Sequence, residues 1–264
     1  MLSVDTPVIL STSGKGGTGK TLVTCGLSSA LAARARVGII DLDIRSPNLT
    51  YVLGMPNTPE ITAQGAPIPI PVRMRDSVVP VFSTAMMFRE GGTIVTKGGQ
   101  VSTLIANMLR DVQWPVLDYL VADMDPSTGD SLRTITEVMR HVSAFVVTTS
   151  DISSLSDCRR MIDACDLLDV KILGVVANMV GVVCPSCESR LRCTTCGETV
   201  EFGDYSEVSK MADEYGLPVV ASLPWNPKFK KDPRAAVETY ARAEFVQLAQ
   251  RVVDYYGRPK LAQS

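Results

Sequence analysis

The segment Gly14-Lys15-Gly16-Gly17-Thr18-Gly19-Lys20-Thr21 follows an apolar run, Val8 to Ser13, and opens a stretch of small and apolar residues, Lys20 to Arg34. It satisfies G-x-x-x-x-G-K-S/T at every fixed position. Such glycines let backbone N–H groups close around phosphate oxygens at the positive end of a helix. Lys20 is then placed for the β- and γ-phosphates of a nucleoside triphosphate such as ATP, and the Thr21 hydroxyl for Mg²⁺. The same stretch also fits G-x-G-x-x-G through Gly14, Gly16 and Gly19, with an acid ending the next strand, as a dinucleotide fold requires. That reading leaves Lys20 and Thr21 unexplained, so a triphosphate site is the stronger one. Lys15 is a second lysine inside the loop, either a solvated side chain or one with a partner.

Acids stand where the same chemistry needs them. Asp41 and Asp43 end the run Val37 to Leu42, and Asp123, Asp125 and Asp130 follow the run Tyr119 to Ala122. Phosphoryl transfer to water needs a carboxylate on the metal side and a group that orients the attacking water. Asp43 is the candidate for the water and Asp123 for the metal, with Thr21, Asp43 and Asp123 as the Mg²⁺ group. Asp41 reads as structural, and Asp130 as a residue that starts a helix.

A third group is separate in sequence. Of seven cysteines, four lie between 184 and 196, as Cys184-Pro185-Ser186-Cys187 and Cys193-Thr194-Thr195-Cys196. Two thiolates three apart on a tight turn can chelate one cation or one cluster edge. Two chemistries stay open for the segment: ligation of an iron–sulfur cluster, or all four cysteines on one structural Zn²⁺ in each chain. Arg190 and Arg192 either offset thiolate charge under both chemistries or are simply solvated. Cys25, Cys158 and Cys165 read as buried small hydrophobes. The spacing is unlike a disulfide scaffold and points to a reducing, cytoplasmic setting.

The elements that must position these groups alternate. Strands are expected at 8–13, 37–42, 78–82, 119–122, 144–149, 172–177 and 219–223. Helices are expected at 20–34, 101–111, 132–139, 153–168 and 235–256. The proline-rich stretch 54–77 reads as a long loop. Near-continuous β-branched strands between helices predict an α/β fold, a doubly wound, mostly parallel sheet flanked by helices. Ligands in such sheets bind at the carboxyl ends of strands, where the phosphate loop and the acids fall. No linker divides the chain, so residues 1–264 are expected as one ATPase domain with a cysteine-rich insertion at about 181–199.

With these motifs in place, the chain resembles the Mrp/ApbC family of iron–sulfur carrier ATPases from about residue 8 to residue 233. Ser13 to Thr21 is similar to that family's phosphate loop, and its Lys15 is the mark of the deviant Walker A group that includes MinD, ParA and the nitrogenase iron protein. Asp41-Leu42-Asp43-Ile44-Arg45-Ser46-Pro47, Leu117 to Asp123, Asn178-Met179, Phe202-Gly203 and Leu223-Pro224 also resemble family segments. The resemblance implies a MinD-like P-loop NTPase fold and slow, dimer- or partner-dependent ATP hydrolysis by Lys15, Lys20, Asp43 and Asp123. Under it, Lys15 reaches the nucleotide of a partner subunit in a homodimer or a heterodimer with a related ATPase. Asn178 contacts adenine, and Cys184 and Cys187 hold a 4Fe–4S cluster bridging the dimer, for delivery to iron–sulfur client proteins. Two departures stand out. Asp125-Pro126-Ser127 replaces the family's two prolines and glycine, and the Cys193/Cys196 pair is additional. The alternative is a nucleotide-switched interaction protein, or a metallo-enzyme maturation factor, with a zinc knuckle.

Bulk properties narrow the partners. Twenty-six basic and 28 acidic residues give a net charge of −2, which offers no electrostatic case for nucleic acid or an anionic membrane. No apolar run has the length of a membrane span, and the first residues lack the pattern of a signal peptide. His141 is the only histidine, beside an expected strand, and reads as structural. Met86, Met87 and Phe88 read as core or dimer surface.

Overall fold

The computed structural model describes residues 2–87, 98–126, 129–231 and 242–257. Phe88, Ser127 and residues 235–241 of the expected closing helix lie outside the described residues.

The central strands are β1 (Val8–Thr12), β2 (Val37–Asp41) and β7 (Tyr119–Asp123), every residue of which is buried. A strand covered on both faces needs apolar residues at successive positions, which is why these read as continuous runs. Around them lie β5 (Ile70–Met74), β6 (Ser77–Ser83), β8 (Val142–Thr148), β9 (Lys171–Val182) and β10 (Val219–Trp225). The eight strands form one sheet in the order β10-β9-β8-β1-β7-β2-β6-β5, parallel except for β5, which runs antiparallel to β6. A separate two-stranded ribbon pairs β3 (Glu60–Ile61) with β4 (Pro67–Ile68).

Stretch 54–77 is therefore not a simple loop. Its prolines are compatible with strand structure because β5 is an edge strand, where Pro71 sits opposite Pro80 without breaking a central ladder. Three α-helices among the described residues escape the sequence reading: α2 (Leu49–Leu53), too short for a period, α6 (Tyr205–Glu214) and the four-residue α7 (Lys228–Lys231). β9 continues five residues beyond the expected end, through Met179 with φ 60° and Gly181 with φ 80°.

Helices cover both faces. On one side α1 (Lys20–Ala32) packs with α8 (Arg242–Tyr256) over Ile9, Ile39, Val121 and Phe145. On the other, α3 (Gly98–Asp111), α4 (Asp130–Val138), α5 (Ile152–Leu167) and α6 cover Leu10, Ile40, Ala122 and Val146. Alternate residues of one strand thus enter opposite cores, each buried Val, Leu or Ile stabilising the fold by about 1.5–3 kcal/mol relative to exposure. Cys25, Cys158 and Cys165 are buried among these apolar residues, Met86 joins the core, and Met87 is exposed. His141 caps the start of β8, its carbonyl accepting from Val8 N–H at 2.8 Å.

The α1–α8 contact has no spare room at Gly26, where an added Cβ would sit 2.4 Å from the buried Phe245 ring. Gly26→Leu should lower unfolding stability by about 1–3 kcal/mol through overpacking, read from urea midpoints. An unchanged midpoint would contradict this packing.

Candidate functional site

The loop between β1 and α1 is shaped for phosphate by its backbone. Gly17 and Gly19 have φ of 80° and 99°, which suit glycine, and Gly19 is the N-cap of α1. A Cβ at Gly19 would meet Asn178 Nδ2 at 2.0 Å, and one at Gly14 would meet the Asp157 carbonyl at 2.1 Å. The loop is thus pinned between β9 and α5, and its Gly16, Gly17 and Gly19 line an open cleft. Asn178, nearly fully buried, donates from Nδ2 to the Thr18 carbonyl at 2.8 Å. It thus holds the loop while also lining the cleft.

Lys20 is buried, and its ammonium group donates to Ser13 Oγ at 3.1 Å and to the Lys15 carbonyl at 3.4 Å. Burial pushes its pKa down, against the opposing pull of Asp123, Asp43 and Asp125. The Thr21 hydroxyl donates to Asp123 Oδ2 at 2.6 Å. Asp123 is itself buried, and its Oδ1 has no hydrogen-bond partner among the described residues. A buried carboxylate oxygen without a donor, beside the hydroxyl that follows the phosphate-loop lysine, fits a hydrated divalent cation.

Asp41 has a different place. It is fully buried and accepts from Ser83 Oγ at 2.8 Å, Asp43 N–H at 3.0 Å and Leu49 N–H at 3.4 Å. It ties β2 to β6 and to α2, as its structural reading expected. Burial and the nearby Asp123 carboxylate push its pKa well up. Asp43 faces the cleft, its Oδ1 accepting from Arg45 N–H at 3.2 Å and Ser46 N–H at 2.9 Å. The cleft measures about 680 Å³ and runs from Gly16, Gly17, Lys20 and Thr21 past Asp43 to Met179, Trp225 and Phe229. One end is polar and the other apolar, a division that suits triphosphate and base. Asp130 begins α4, although the N-cap itself is Gly129.

Lys15 is partly exposed but has partners. Its ammonium donates to Asp151 Oδ1 at 2.9 Å and to Ser153 Oγ at 2.5 Å, at the start of α5. Asp151 is the N-cap of α5, accepting from Ser154 N–H at 3.0 Å. Slight burial raises its pKa, but hydrogen bonds from Ser154, Thr149, Ser153 and Lys15 outweigh this and hold it well below the usual carboxylate range. Sequence reasoning missed Asp151, although Asp-Ile-Ser-Ser before a helical run is a capping signal.

The four clustered cysteines lie on an exposed segment between β9 and α6, with Cys184 and Cys193 partly covered and Cys187 and Cys196 open. They form two tight turns rather than one long loop. Backbone hydrogen bonds from Cys196 and Thr195 lower the Cys193 pKa to about 7, and the Ser189 hydroxyl and backbone lower that of Cys187. Thiolates are the metal-binding form. Among the described residues, no three Cys, His, Asp or Glu side chains converge on a point that could hold a metal ion.

A family model described as the NUBPL iron-transfer P-loop NTPase of the ParA group matches residues 5–255. The chain belongs to this family of iron-transfer P-loop NTPases. Curated relatives agree. An iron–sulfur cluster carrier protein of Helicobacter pylori is 33% identical over 224 residues, covering 84% of this chain and 58% of that protein. A carrier protein of the same description from Methanocaldococcus jannaschii is 30% identical over 253 residues, covering 93% and 83%. The cytosolic Fe-S cluster assembly factor CFD1 of Eremothecium gossypii is 32% identical over 229 residues, covering 84% and 78%. Among solved structures, a nucleotide-binding protein of Archaeoglobus fulgidus in complex with ADP superposes with TM-score 0.67 at 23% identity, over 92% of this chain and 88% of that one. The Mg-ADP complex of the septum site-determining protein MinD of Pyrococcus horikoshii gives TM-score 0.63 at 19% identity, over 97% and 99%. These two bear out the doubly wound, MinD-like fold of this NTPase family.

The buried carboxylates make stability depend on pH. Burial pushes the Asp123 pKa up to about 7, despite the opposing Thr21 hydrogen bond and Lys20 charge, against about 3.9 in an unfolded chain. The folded state then binds more protons than the unfolded state in between, so stability falls as pH rises through that window. The nucleotide-free chain should have a lower urea midpoint at about pH 8 than at about pH 5, with a smaller difference in Asp123→Asn. Equal differences in the two proteins would contradict the buried placement of Asp123.

Proposed function

We propose that residues 1–264 act as one ATPase domain that binds and slowly hydrolyses Mg·ATP to drive the loading or transfer of a 4Fe–4S cluster in the cytoplasm. In this reading the N–H groups of residues 14–21 and the Lys20 ammonium hold the phosphates. Thr21, Asp123 and Asp43 would hold the magnesium side, and magnesium would supply charge neutralisation at the phosphates. Asp43 orients the water that attacks the γ-phosphate, giving ADP and phosphate. The apolar end of the cleft takes the adenine, next to Asn178.

Lys15 acts in trans on the nucleotide of a second chain, either a copy of this one or a related ATPase. It must first leave Asp151. That pair is about half exposed, and a surface ion pair contributes only about 0.2–1 kcal/mol. A partner's phosphates can therefore compete for Lys15. Cys184 and Cys187 supply thiolates to a cluster shared between the two chains, which they pass to client proteins. The kinship with proteins named iron–sulfur cluster carriers supports the cargo.

One observation carries the proposal: the nucleotide cleft and the cysteine segment share a wall. Trp225 lines the cleft, and its ring meets that of Phe202 edge-on at 5.6 Å. Its carbonyl accepts from Val183 N–H at 3.1 Å, one residue before Cys184. On the other side of the segment, Gly203 packs so closely on Ser150 that a Cβ would sit 2.0 Å from Ser150 Oγ, beside the Asp151 that holds Lys15. In this reading a nucleotide that displaces Lys15 or fills the apolar end of the cleft acts on residues that touch the cysteine segment.

The test is metal and labile sulfide content after purification without oxygen. At least about four iron and four sulfide per pair of chains are expected. Cys184→Ala should lose half or more of both while binding ATP as the native chain does. Zinc without sulfide in the native chain, or unchanged iron in the variant, would contradict the cluster reading.

A further inference from the structure

The cysteine segment is internally repeated. Val182, Leu191 and Val200 stand nine residues apart, and their backbones close a ring of hydrogen bonds. Leu191 N–H donates to Val182 O at 2.8 Å, Val200 N–H to Leu191 O at 2.9 Å, and Val182 N–H to Val200 O at 3.1 Å. Two turns spring from this ring with the same construction. In the first, Val183 bridges to Arg190, Cys184 N–H donates to Ser189 O at 2.9 Å, and Glu188 N–H to Cys184 O at 2.9 Å. In the second, Arg192 bridges to Thr199, Cys193 N–H donates to Glu198 O at 2.7 Å, and Gly197 N–H to Cys193 O at 2.9 Å.

The residue after each C-x-x-C is left-handed, with φ 59° at Glu188 and 75° at Gly197. Only the second copy has the glycine that such a conformation favours. In the first, the Glu188 carboxylate meets Lys228 Nζ at 3.4 Å. In each turn the first and second thiol interact, Cys184 helping to lower the pKa of Cys187 and Cys196 that of Cys193. Each hydrogen-bonded turn thus carries one C-x-x-C pair, while among the described residues no third Cys, His, Asp or Glu joins either pair.

We propose that Cys193 and Cys196 form a second thiolate pair, equivalent to Cys184 and Cys187, and that each pair is a separate two-sulfur ligand for a thiophilic cation, zinc or iron. Zinc and cluster iron take four-coordinate sites, so a two-sulfur turn is half a site. Two associated chains then offer two four-thiolate sites, one for each turn and its counterpart. The proposal rests on the reading of Cys184 and Cys187 as ligands and extends it to a pair that this reading leaves without a task.

The test uses the full chain, reduced and free of oxygen, titrated with Zn²⁺ alone against a coloured chelator. The native chain is compared with the double variants C184A/C187A and C193A/C196A, with ATP binding as the check that each is folded. Native protein should take up about one zinc per chain, and each double variant about half of that, since one four-thiolate site per pair of chains survives. Native-level uptake by C193A/C196A would overturn the second pair and leave the cluster reading untouched. Native-level uptake by C184A/C187A would overturn the first pair, and the equivalence with it. Loss of tight uptake in both variants would overturn the proposal in favour of four sulfurs on one ion within each chain. No uptake by the native chain would overturn both readings.

Discussion

Asp41 and Asp123 stand opposite each other in the register of β2 and β7, and both are buried. Two carboxylates this close cannot both be charged without a compensating cation, and burial raises the cost. Lys20 supplies part of that compensation from the first residue of α1, and Ser83 and the backbone of α2 supply hydrogen bonds to Asp41. The remaining oxygen, Oδ1 of Asp123, is left without a donor among the described residues. The fold thus holds a negative charge at the carboxyl end of its central strands that a bound cation completes. Sheet register, helix placement and the glycine loop all serve to hold that charge beside a phosphate cradle.

From this centre the rest of the molecule can be read as two arms. One arm goes through Lys15 to Asp151 and the start of α5. The other goes through the apolar end of the cleft to Trp225, Phe202 and the cysteine turns. They meet again where Gly203 packs on Ser150. A nucleotide that draws Lys15 away from Asp151, or presses on Trp225, acts on elements that touch the cysteine segment from both sides. Coupling of this kind requires differential contacts in two states, and these contacts are candidates for them.

Much of this was legible in the sequence, for physical reasons that differ by element. The central strands were found because burial on both faces demands unbroken apolar runs, as in Val8 to Leu10 and Tyr119 to Ala122. The phosphate loop was found because glycine, lysine and threonine are each required by phosphate geometry. The edge strand β5 was missed because proline is an argument against a strand only inside a sheet, and Pro71 lies at its margin. α2 is too short to show an apolar period, whereas α6 carries one, with Val208, Met211 and Ala212 on one face behind the capping Asp204. The duplicated cysteine turn was visible as two C-x-x-C pairs. Its backbone ring of Val182, Leu191 and Val200 was not, because a nine-residue spacing of apolar residues has no meaning until the hydrogen bonds close it. The hold of Lys15 on Asp151 joins residues far apart in the chain, and no local pattern announces it.

The central claim is that the nucleotide cleft and the cysteine turns form one coupled system. The most direct measurement is ATP affinity by calorimetry, on the same preparation with its metal removed and with its metal restored. Coupling through Trp225 and Asp151 predicts a change of about 5- to 150-fold, with ATP altering metal affinity by the same factor, as linkage requires. Equal ATP affinities in the two forms would mean that the shared wall transmits nothing, and would contradict the account.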